Sequence, residues 1–377
     1  MNESKKKIVT LTITHACNLQ CSYCYEHHKT GDQMEFAIAK SIIDREIETI
    51  TDEDEIEFDL FGGEPFIAFD MVKRITEYVN QKCANIPHII FATTNGTLIH
   101  GTIKKWLYEH KECFACGLSL DGTKEMHNIN RSQSYDNIDL DFFLKLYPEQ
   151  GVKMTVSRET LPALADGVID LHRKGFIVSC NLAYDIDWSS HENEKILERE
   201  LDKLIEFYLA NPEIEPCSML EMGISNVGLV QDSVPRYCGA GLGMRTYDVD
   251  GQKYSCQFFM PLSVGNEKAK AALQIDFPDL SLPADCLDSK CGSCVVRSIC
   301  PNCFGANYAA TGSIYQRDDN MCRLTKIIMK ARSYFRAKQW ELGQLHGTEA
   351  DIQATPRAII RIQEELEVYA SFVGLEP

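Results

Sequence analysis

The placement of cysteine constrains this chain more than any other sequence feature. The 377 residues include 16 cysteines, of which three fall between positions 17 and 24 and eight recur between positions 238 and 322. Disulfide frameworks are typical of small secreted proteins, whereas clustered cysteines in a longer chain of a reducing compartment indicate metal binding or catalysis. We therefore expect a fold organised around metal centres.

Charge and hydropathy exclude several classes of partner. The formal net charge of −17 and the isoelectric point near 5.1 argue against a nucleic-acid partner, because phosphate binding needs clustered Lys and Arg. No apolar run approaches the ~20 residues of a membrane span, and the basic first residues lack the apolar core of a signal peptide. We expect a cytoplasmic protein with a neutral or basic substrate and neither nucleic acid nor membrane as a partner.

The first part of the chain alternates short β-branched runs with amphipathic stretches, which is typical of βα units on a parallel sheet. The predicted strands are 8–14, 56–60, 88–93, 115–120, 152–157 and 176–183. The predicted helices that follow them are 34–50, 70–82, 102–110, 137–146, 161–174 and 191–209. After residue 211 Pro, Gly and Cys become dense, and helical periodicity returns at 324–342 and 356–372.

The first cysteine group directly follows the first predicted strand. Cys17, Cys21 and Cys24 lie in the loop at its carboxyl end, where barrel enzymes place their chemistry. Three thiolates can hold three irons of a 4Fe-4S cluster and leave the fourth iron open for a small ligand. A zinc site is the alternative, but three cysteines without a fourth ligand at the usual spacing fit zinc poorly.

Further polar and glycine residues follow successive strands. They are Gly62, Gly63 and Glu64 after the second strand, Thr94 and Asn95 after the third, Ser119 and Asp121 at the end of the fourth, and Arg131 beyond it. Each short motif alone is typical of a turn. Because they occur in order at the carboxyl ends of consecutive strands, we expect them to form one site with the cysteines.

The spacing C-x3-C-x2-C, with Tyr23 before the last cysteine, resembles the radical S-adenosylmethionine (SAM) superfamily. The resemblance implies that Cys17, Cys21 and Cys24 hold the catalytic cluster, and that its one-electron reduction cleaves bound SAM to a 5′-deoxyadenosyl radical. It also implies a reductant such as flavodoxin or ferredoxin. The residues implied to contact SAM are Tyr23, Gly62, Gly63, Glu64 for the ammonium group, Thr94 and Asn95 for the ribose, Ser119, Asp121, and Arg131 for the carboxylate.

The second cysteine group comprises Cys238 and Cys256, then the spacing C-x2-C-x5-C-x2-C from Cys291 to Cys303, and finally Cys322. This pattern resembles the SPASM domain, which holds two auxiliary clusters, so that the chain would carry three 4Fe-4S clusters in all. The implied ligands are Cys291, Cys294, Cys300 and Cys322 for the outer auxiliary cluster and Cys238, Cys256 and Cys303 for the inner one. A pair of zinc knuckles is the alternative. Cys300 and Cys303 are one residue closer than in the family, and Met244 stands where sulfatase-maturating relatives have a further cysteine. The inner cluster then either has an open iron, able to bind a substrate thiolate, or is closed by Cys286.

These resemblances imply an α/β fold, in which a partial (β/α)6 radical SAM barrel precedes a small cysteine-rich SPASM domain and C-terminal helices. The expected domains are 1–215, 216–329 and 330–377. The expected function is maturation of a ribosomally made peptide through a thioether or carbon-carbon crosslink. Sulfatase-type formylglycine formation, peptide epimerisation and a non-catalytic iron-sulfur scaffold remain the alternatives.

Two further expectations concern the base and the recognition of the substrate. Sulfatase-maturating relatives have an Asp base directly after the residue that corresponds to Cys256, and here that position is Gln257. An amide does not accept a proton at neutral pH, so another carboxylate is needed, with Asp185 and Asp187 as candidates. Only 16 residues precede Cys17, so we expect recognition of the peptide or protein substrate to be built into the barrel, to be absent, or to use a separate leader-binding protein.

Overall fold

The computed structural model describes residues 6–50, 55–227, 233–235, 238–277, 281–283 and 288–366. The chain divides into two compact units. The first comprises residues 1–120, 130–153 and 239–277, and the second comprises 121–129, 154–238 and 278–377. The first unit thus includes 239–277, which the sequence assigns to the cysteine-rich region. The domain bounds at 215 and 329 stay a prediction.

Strands and helices alternate in the first part of the described chain, as the sequence predicts. The strands are β1 (Lys6–Thr14), β2 (Glu55–Gly62), β3 (His88–Thr94), β4 (Phe114–Leu118), β5 (Val152–Val156), β6 (Val178–Leu182), β7 (Ser233–Pro235), β8 (Met244–Tyr247), β9 (Lys253–Tyr254) and β10 (Ser281–Pro283). The helices are α1 (Phe36–Glu48), α2 (Phe69–Lys82), α3 (Gly101–Glu109), α4 (Lys124–Asn130), α5 (Leu140–Leu146), α6 (Leu164–Arg173), α7 (Glu192–Ala210), α8 (Ser218–Glu221), α9 (Pro261–Ala272), α10 (Ser289–Gly292), α11 (Phe304–Thr311), α12 (Asp319–Glu341) and α13 (Glu349–Glu365).

The first unit is built on a sheet with the strand order β4-β3-β2-β1-β8-β9. Strands β1 to β4 are parallel, and β8 continues the parallel arrangement on the other side of β1, with Ile8 opposite Met244. Val9, Leu11 and Ile13 on one face of β1 are completely buried, and Thr10 and Thr12 on the other face are at most 2% exposed, as expected for a central strand covered on both faces. The pairing of β8 with β1 was not predicted, because no local sequence pattern reports a partner so distant in the chain.

The second unit contains β6, most of its partner strand β5 and most of the long helices. Helix α7 buries Leu197, Leu201 and Leu204 at helical spacing. Its contact with α12 includes an ion pair of 2.6 Å between Arg323 and Glu194. The six predicted strands and their following helices are therefore all present, although the fifth and sixth strands form a separate pair.

Several helix boundaries differ from the sequence prediction, among them the start of α12, which lies at Asp319 rather than at residue 324. The predicted start of the last helix at Pro356 is wrong, since α13 begins at Glu349 and contains Pro356. Thr348 caps this helix by accepting a hydrogen bond of 3.2 Å from Asp351 N, and this cap fixes the helix start in spite of the backbone donor that proline lacks. Helix α5 starts later than predicted, because Asp139 caps it at Phe142 N.

Among the described residues, no helix combines the length and the apolar character that crossing a bilayer would require.

Candidate functional site

A cavity of about 160 Å³ lies in the first unit, where β1 to β4 end. The predicted residues that line it are Cys17, Cys21, Cys24, Tyr23, Gly62, Gly63, Glu64, Thr94, Asn95, Ser119 and Arg131. The structure thus brings the cysteine loop and the strand-end motifs together at one place. Their individual roles stay predictions.

Two glycines bring the end of β2 against the cysteine loop. Gly62 has a φ of +149°, and a Cβ there would lie 2.1 Å from the Thr14 carbonyl oxygen. A Cβ on Gly63 would lie 2.4 Å from the Ala16 carbonyl oxygen. Instead, the backbone amides of Gly63 and Glu64 donate hydrogen bonds of 3.1 and 2.9 Å to these same oxygens. Only glycine permits this approach.

Glu64 is the most tightly held carboxylate of the cavity. It is buried, and it accepts hydrogen bonds from Thr94 Oγ1 at 2.8 Å, Asn95 N at 2.8 Å and Phe66 N at 3.2 Å. Burial raises the pKa of Glu64 to about 7 although these bonds and the charge of Arg131 oppose the rise. A buried carboxylate of this kind needs a cation, so it fits the ammonium group that the sequence analysis assigns to it.

Arg131 and its neighbours in the chain also contact the cysteine loop, in addition to the end of β2. The Arg131 guanidinium lies over the Tyr23 ring at 5.4 Å from its centre, a cation–π distance. Ser22 N donates a hydrogen bond of 2.9 Å to Asn130 O, and Gln20 N donates one of 2.9 Å to Ser132 Oγ. The cysteine loop is therefore fixed along its backbone.

Asp121 has a different position. Its carboxylate accepts a hydrogen bond of 2.9 Å from Thr155 N in the second unit. It is completely buried and is not one of the residues that line the cavity. Its predicted contact with SAM stays a prediction.

Sequence reasoning missed two charged residues in this cavity, Glu26 and Lys29. Burial lowers the pKa of Lys29, but the neighbouring thiols of Cys24 and Cys17 raise it by more. Burial raises the pKa of Glu26 to about 7, with Lys29 and His15 acting in the opposite direction. The sequence signal that could have identified Glu26 and Lys29 is that both follow Cys24 within five positions.

Residues 239–277 also contact the cysteine loop within the first unit. The rings of Tyr25 and Phe258 stack with their centres 4.1 Å apart, and the side chains of Tyr25 and Gln257 are hydrogen-bonded. Burial raises the pKa of Tyr25 well above its usual value, and the nearby cysteines Cys24 and Cys256 add to the rise. Cys256 itself is buried.

The second unit brings four predicted ligands together. Burial raises the pKa of Cys291, and the nearby Cys300 and Cys322 add to the rise. Burial also raises the pKa of Cys300, which lies near Cys294 and Cys322. The pKa of Cys303 is raised by burial and by the nearby Cys238. Cys286 lies outside the described residues, and Cys238 is exposed.

A second cavity, of about 240 Å³, lies within the second unit and is lined by both candidate bases together with Cys303 and Arg317. Asp185 has a φ of +61°, uncommon for a residue other than glycine. The Asp187 side chain is 66% exposed, and its hydrogen bonds with Ser189 lower its pKa. Asp185 is the candidate whose backbone is held in a strained conformation, and such strain clusters at functional sites.

The donor sets suit iron-sulfur clusters. Three cysteines around a cavity with acidic, basic and glycine contacts match an open cluster with a zwitterionic ligand, and four adjacent cysteines match a closed cluster. Across the ranges that the structure describes, no three His, Cys, Asp or Glu side chains are arranged around a single metal ion. A cluster has its ligands around a body of several atoms rather than around one ion.

A mostly parallel α/β sheet with three cysteines at its strand ends is an arrangement that suits an iron-sulfur site. Residues 8–135 match the family model of the 4Fe-4S single cluster domain. The chain is similar to radical SAM enzymes, as the cysteine spacing predicts. The α/β fold with a partial barrel and C-terminal helices is likewise confirmed.

Two curated relatives are informative. The cysteine-type anaerobic sulfatase-maturating enzyme of Clostridium perfringens is 33% identical over 141 residues, 34% of this chain and 36% of that enzyme. The radical SAM cyclopropyl synthase TigE of Paramaledivibacter caminithermalis is 21% identical over 355 residues, 86% of this chain and 73% of that protein. The chain spans only 57% of the length of a further curated relative and 36% of the length of the sulfatase-maturating enzyme.

The solved structure of native anSMEcpe with bound AdoMet has the same fold, with a TM-score of 0.66 over 95% of this chain and 99% of that one at 19% identity. The same protein has also been solved with AdoMet and a Cp18Cys peptide, with a TM-score of 0.62.

Proposed function

We propose that this chain is a peptide maturase, which abstracts hydrogen from a ribosomally made peptide and forms a thioether or a carbon-carbon crosslink. The observation that carries the proposal is the cavity in which Cys17, Cys21 and Cys24 face Glu64 and Arg131. When bound there, a 4Fe-4S cluster and SAM would supply the hydrogen-abstracting chemistry of the superfamily.

The chain's own residues bind and orient the cofactor in this proposal. Glu64 receives the ammonium group, Arg131 pairs with the carboxylate, and Asn95 contacts the ribose. Glu64 and Arg131 are at most 8% exposed, so both interactions are shielded from water and are stronger than at a surface. Lys29 adds a positive charge beside Cys17 and Cys24.

The environment of Gln257 favours crosslinking over formylglycine formation. This amide stands where the sulfatase-maturating relatives have a base, and its side chain is hydrogen-bonded to Tyr25. An amide cannot take the substrate proton, so Asp185 is the base in this proposal. The similarity to the cyclopropyl synthase, which extends over 86% of this chain, adds support for a bond-forming reaction.

The second unit would hold the outer auxiliary cluster through Cys291, Cys294, Cys300 and Cys322. The inner cluster would use Cys238, Cys256 and Cys303. A substrate thiolate could bind its open iron, and the cluster would accept the second electron that the substrate loses when the crosslink forms. These clusters, a flavodoxin or ferredoxin as reductant, a separate leader-binding protein and a cytoplasmic location belong to the proposal. Peptide binding is supported by the similar fold of anSMEcpe, solved with a peptide.

Co-expression with the short peptides encoded beside its gene, followed by fragment mass spectrometry, tests the function. Loss of two hydrogens, with fragmentation blocked between two residues, is the expected result. An aldehyde that reacts with a hydrazine probe would instead support formylglycine formation, the second candidate, which the match to the sulfatase-maturating enzyme favours. Deuterium uptake without any other mass change would indicate an epimerase.

Iron analysis tests the clusters separately from the substrate. Anaerobically purified protein should contain about 12 iron atoms per chain, and replacement of Cys17, Cys21 and Cys24 by Ala should leave about eight. A value of about four for the unchanged protein would contradict the proposal of both auxiliary clusters but would agree with a cluster at the SAM site.

A further inference from the structure

Arg317 is a buried arginine next to one of the predicted cluster ligands. Only 7% of the residue is exposed. Its Nη1 donates to Cys300 Sγ, and its Nη2 donates a hydrogen bond of 2.9 Å to Thr325 Oγ1. Both ends of the guanidinium are thus fixed, one on the thiol and the other on helix α12.

The backbone of Arg317 is fixed as well. Its amide donates a hydrogen bond of 3.2 Å to Asp288 Oδ2, and its carbonyl accepts one of 2.6 Å from Lys290 Nζ. Lys290 in turn lies 3.3 Å from Asp288. These contacts tie Arg317 to the start of helix α10, which carries Cys291.

The counter-charges of Arg317 are unusual for a buried arginine. Within the part of the chain that the structure describes, no carboxylate lies at ion-pair distance from its guanidinium. The groups that most favour its positive charge are Cys300 and Cys322. Burying an unpaired guanidinium is costly, because the charge loses its hydration. The arrangement is therefore favourable only when negative charge occupies the site formed by these cysteines.

We propose that Arg317 is the charge-compensating residue of the outer auxiliary cluster and raises the reduction potential of that cluster. The proposal rests on the proposed function, which supplies the cluster. Reduction adds one electron to a group that is already negative, so a buried positive charge in contact with one ligand stabilises the reduced form. Arg317 is a positioning residue in this role, because it acts through the cluster ligand Cys300.

Arg323 provides a matched control. It follows Cys322 directly, and its charge is already balanced by Glu194 at 2.6 Å. Its removal also takes away one positive charge, but the Arg323 side chain is 32% exposed and water screens the change, so the midpoint of the cluster should shift less than on removal of Arg317.

The experiment compares wild type with Arg317→Met, Arg317→Lys and Arg323→Met, all as anaerobically purified holoenzymes. Iron per chain is measured first, and the reduction midpoint of each cluster is then followed by electron paramagnetic resonance in a potentiometric titration. The SAM-binding cluster is recognised by the change of its signal when SAM is added. The inner cluster is recognised by loss of its signal in Cys238→Ala.

The expected result is full iron content in every variant and one midpoint, that of the outer cluster, displaced to more negative potential in Arg317→Met. Arg317→Lys and Arg323→Met should stay close to wild type. Unchanged midpoints in fully loaded Arg317→Met would overturn the proposal. If Arg317→Met loses iron, retention in Arg317→Lys supports charge compensation, whereas loss in both variants overturns it. Absence of auxiliary signals from the wild type would contradict the proposed function instead.

Discussion

His15 and Asp248 form a buried ion pair at the end of β1. His15 Nε2 lies 2.6 Å from Asp248 Oδ1, and the two side chains are 7% and 4% exposed. The other ring nitrogen of His15 lies 3.2 Å from Thr30 Oγ1. The pair joins the residue before the cysteine loop to the turn after β8, so it fixes that loop within the first unit.

This ion pair predicts a pH-dependent contribution to stability. Burial lowers the pKa of His15, but the hydrogen bond and charge of Asp248 raise it by more, so that the net pKa is raised. A raised histidine pKa stabilises the folded state fully below the unfolded pKa, and this stabilisation is lost as the pH rises through the folded pKa. Asp248→Ala should lower the free energy of unfolding by about 3 kcal/mol near pH 6, and by less near pH 9.

Urea denaturation at both pH values measures this difference. Glu109→Ala is the control, since it removes a partner of the exposed pair with Lys105, 3.7 Å apart, and should cost less than about 1 kcal/mol. An equal loss for Asp248→Ala at the two pH values would contradict a charged His15.

Glu64 predicts that SAM affinity rises with pH. Burial raises the pKa of Glu64 to about 7, and only the ionised carboxylate attracts an ammonium group. Between pH 6 and pH 8 the ionised fraction grows about tenfold, and the SAM affinity measured by calorimetry should grow with it. Glu64→Gln should bind weakly at both pH values.

The variant Glu26→Gln tests whether the pH dependence of SAM affinity comes from Glu64 or from the second carboxylate of the cavity. Glu26 lines the same cavity, and its pKa is also raised by burial to about 7. The pH dependence should persist in Glu26→Gln and vanish in Glu64→Gln. The reverse pattern would assign the ammonium group to Glu26.

Gly62→Ala should damage the fold at the cavity. The added methyl group would lie 2.1 Å from Thr14 O, on a backbone with a φ of +149°. We expect a loss of about 3 kcal/mol or more from overpacking and strain, measured by urea denaturation. Gly31→Ala meets nothing within 4 Å, so it should leave stability almost unchanged. Equal stability of the two variants would show that the close approach of Gly62 to Thr14 O is not needed for the fold.

Asp185→Asn should stop product formation and leave SAM cleavage intact. Asparagine tolerates the positive φ of +61° at this position, so the fold should be kept. Loss of a general base typically costs about 100-fold or more in rate. Asp187→Asn, at an exposed position in the same cavity, is the control and should stay active. If only Asp187→Asn loses product, Asp187 is the base.

Local patterns predicted the strands and most helices, because the spacing of apolar residues in strands and helices can be recognised within a few neighbouring residues. The gathering of the strand-end motifs followed from parallel topology, and the proximity of Cys291 to Cys322 followed from the family pattern. Lys29 and Arg317 were missed, since their importance depends on which thiols they contact in three dimensions. The start of α13 was missed because the helical periodicity was recognised only from Pro356 onward, whereas the cap at Thr348 starts the helix at Glu349.

The pairing of β8 with β1 has a consequence for synthesis of the protein. β1 is made first, yet one of its two neighbours in the sheet is made only when more than half of the chain has left the ribosome. Until then β1 exposes an unpaired edge, which favours association with other chains, and contacts so distant in sequence form slowly. A fragment that ends at residue 215 would lack β8 permanently, so the nascent N-terminal half should depend on chaperones or rapid completion to stay unaggregated.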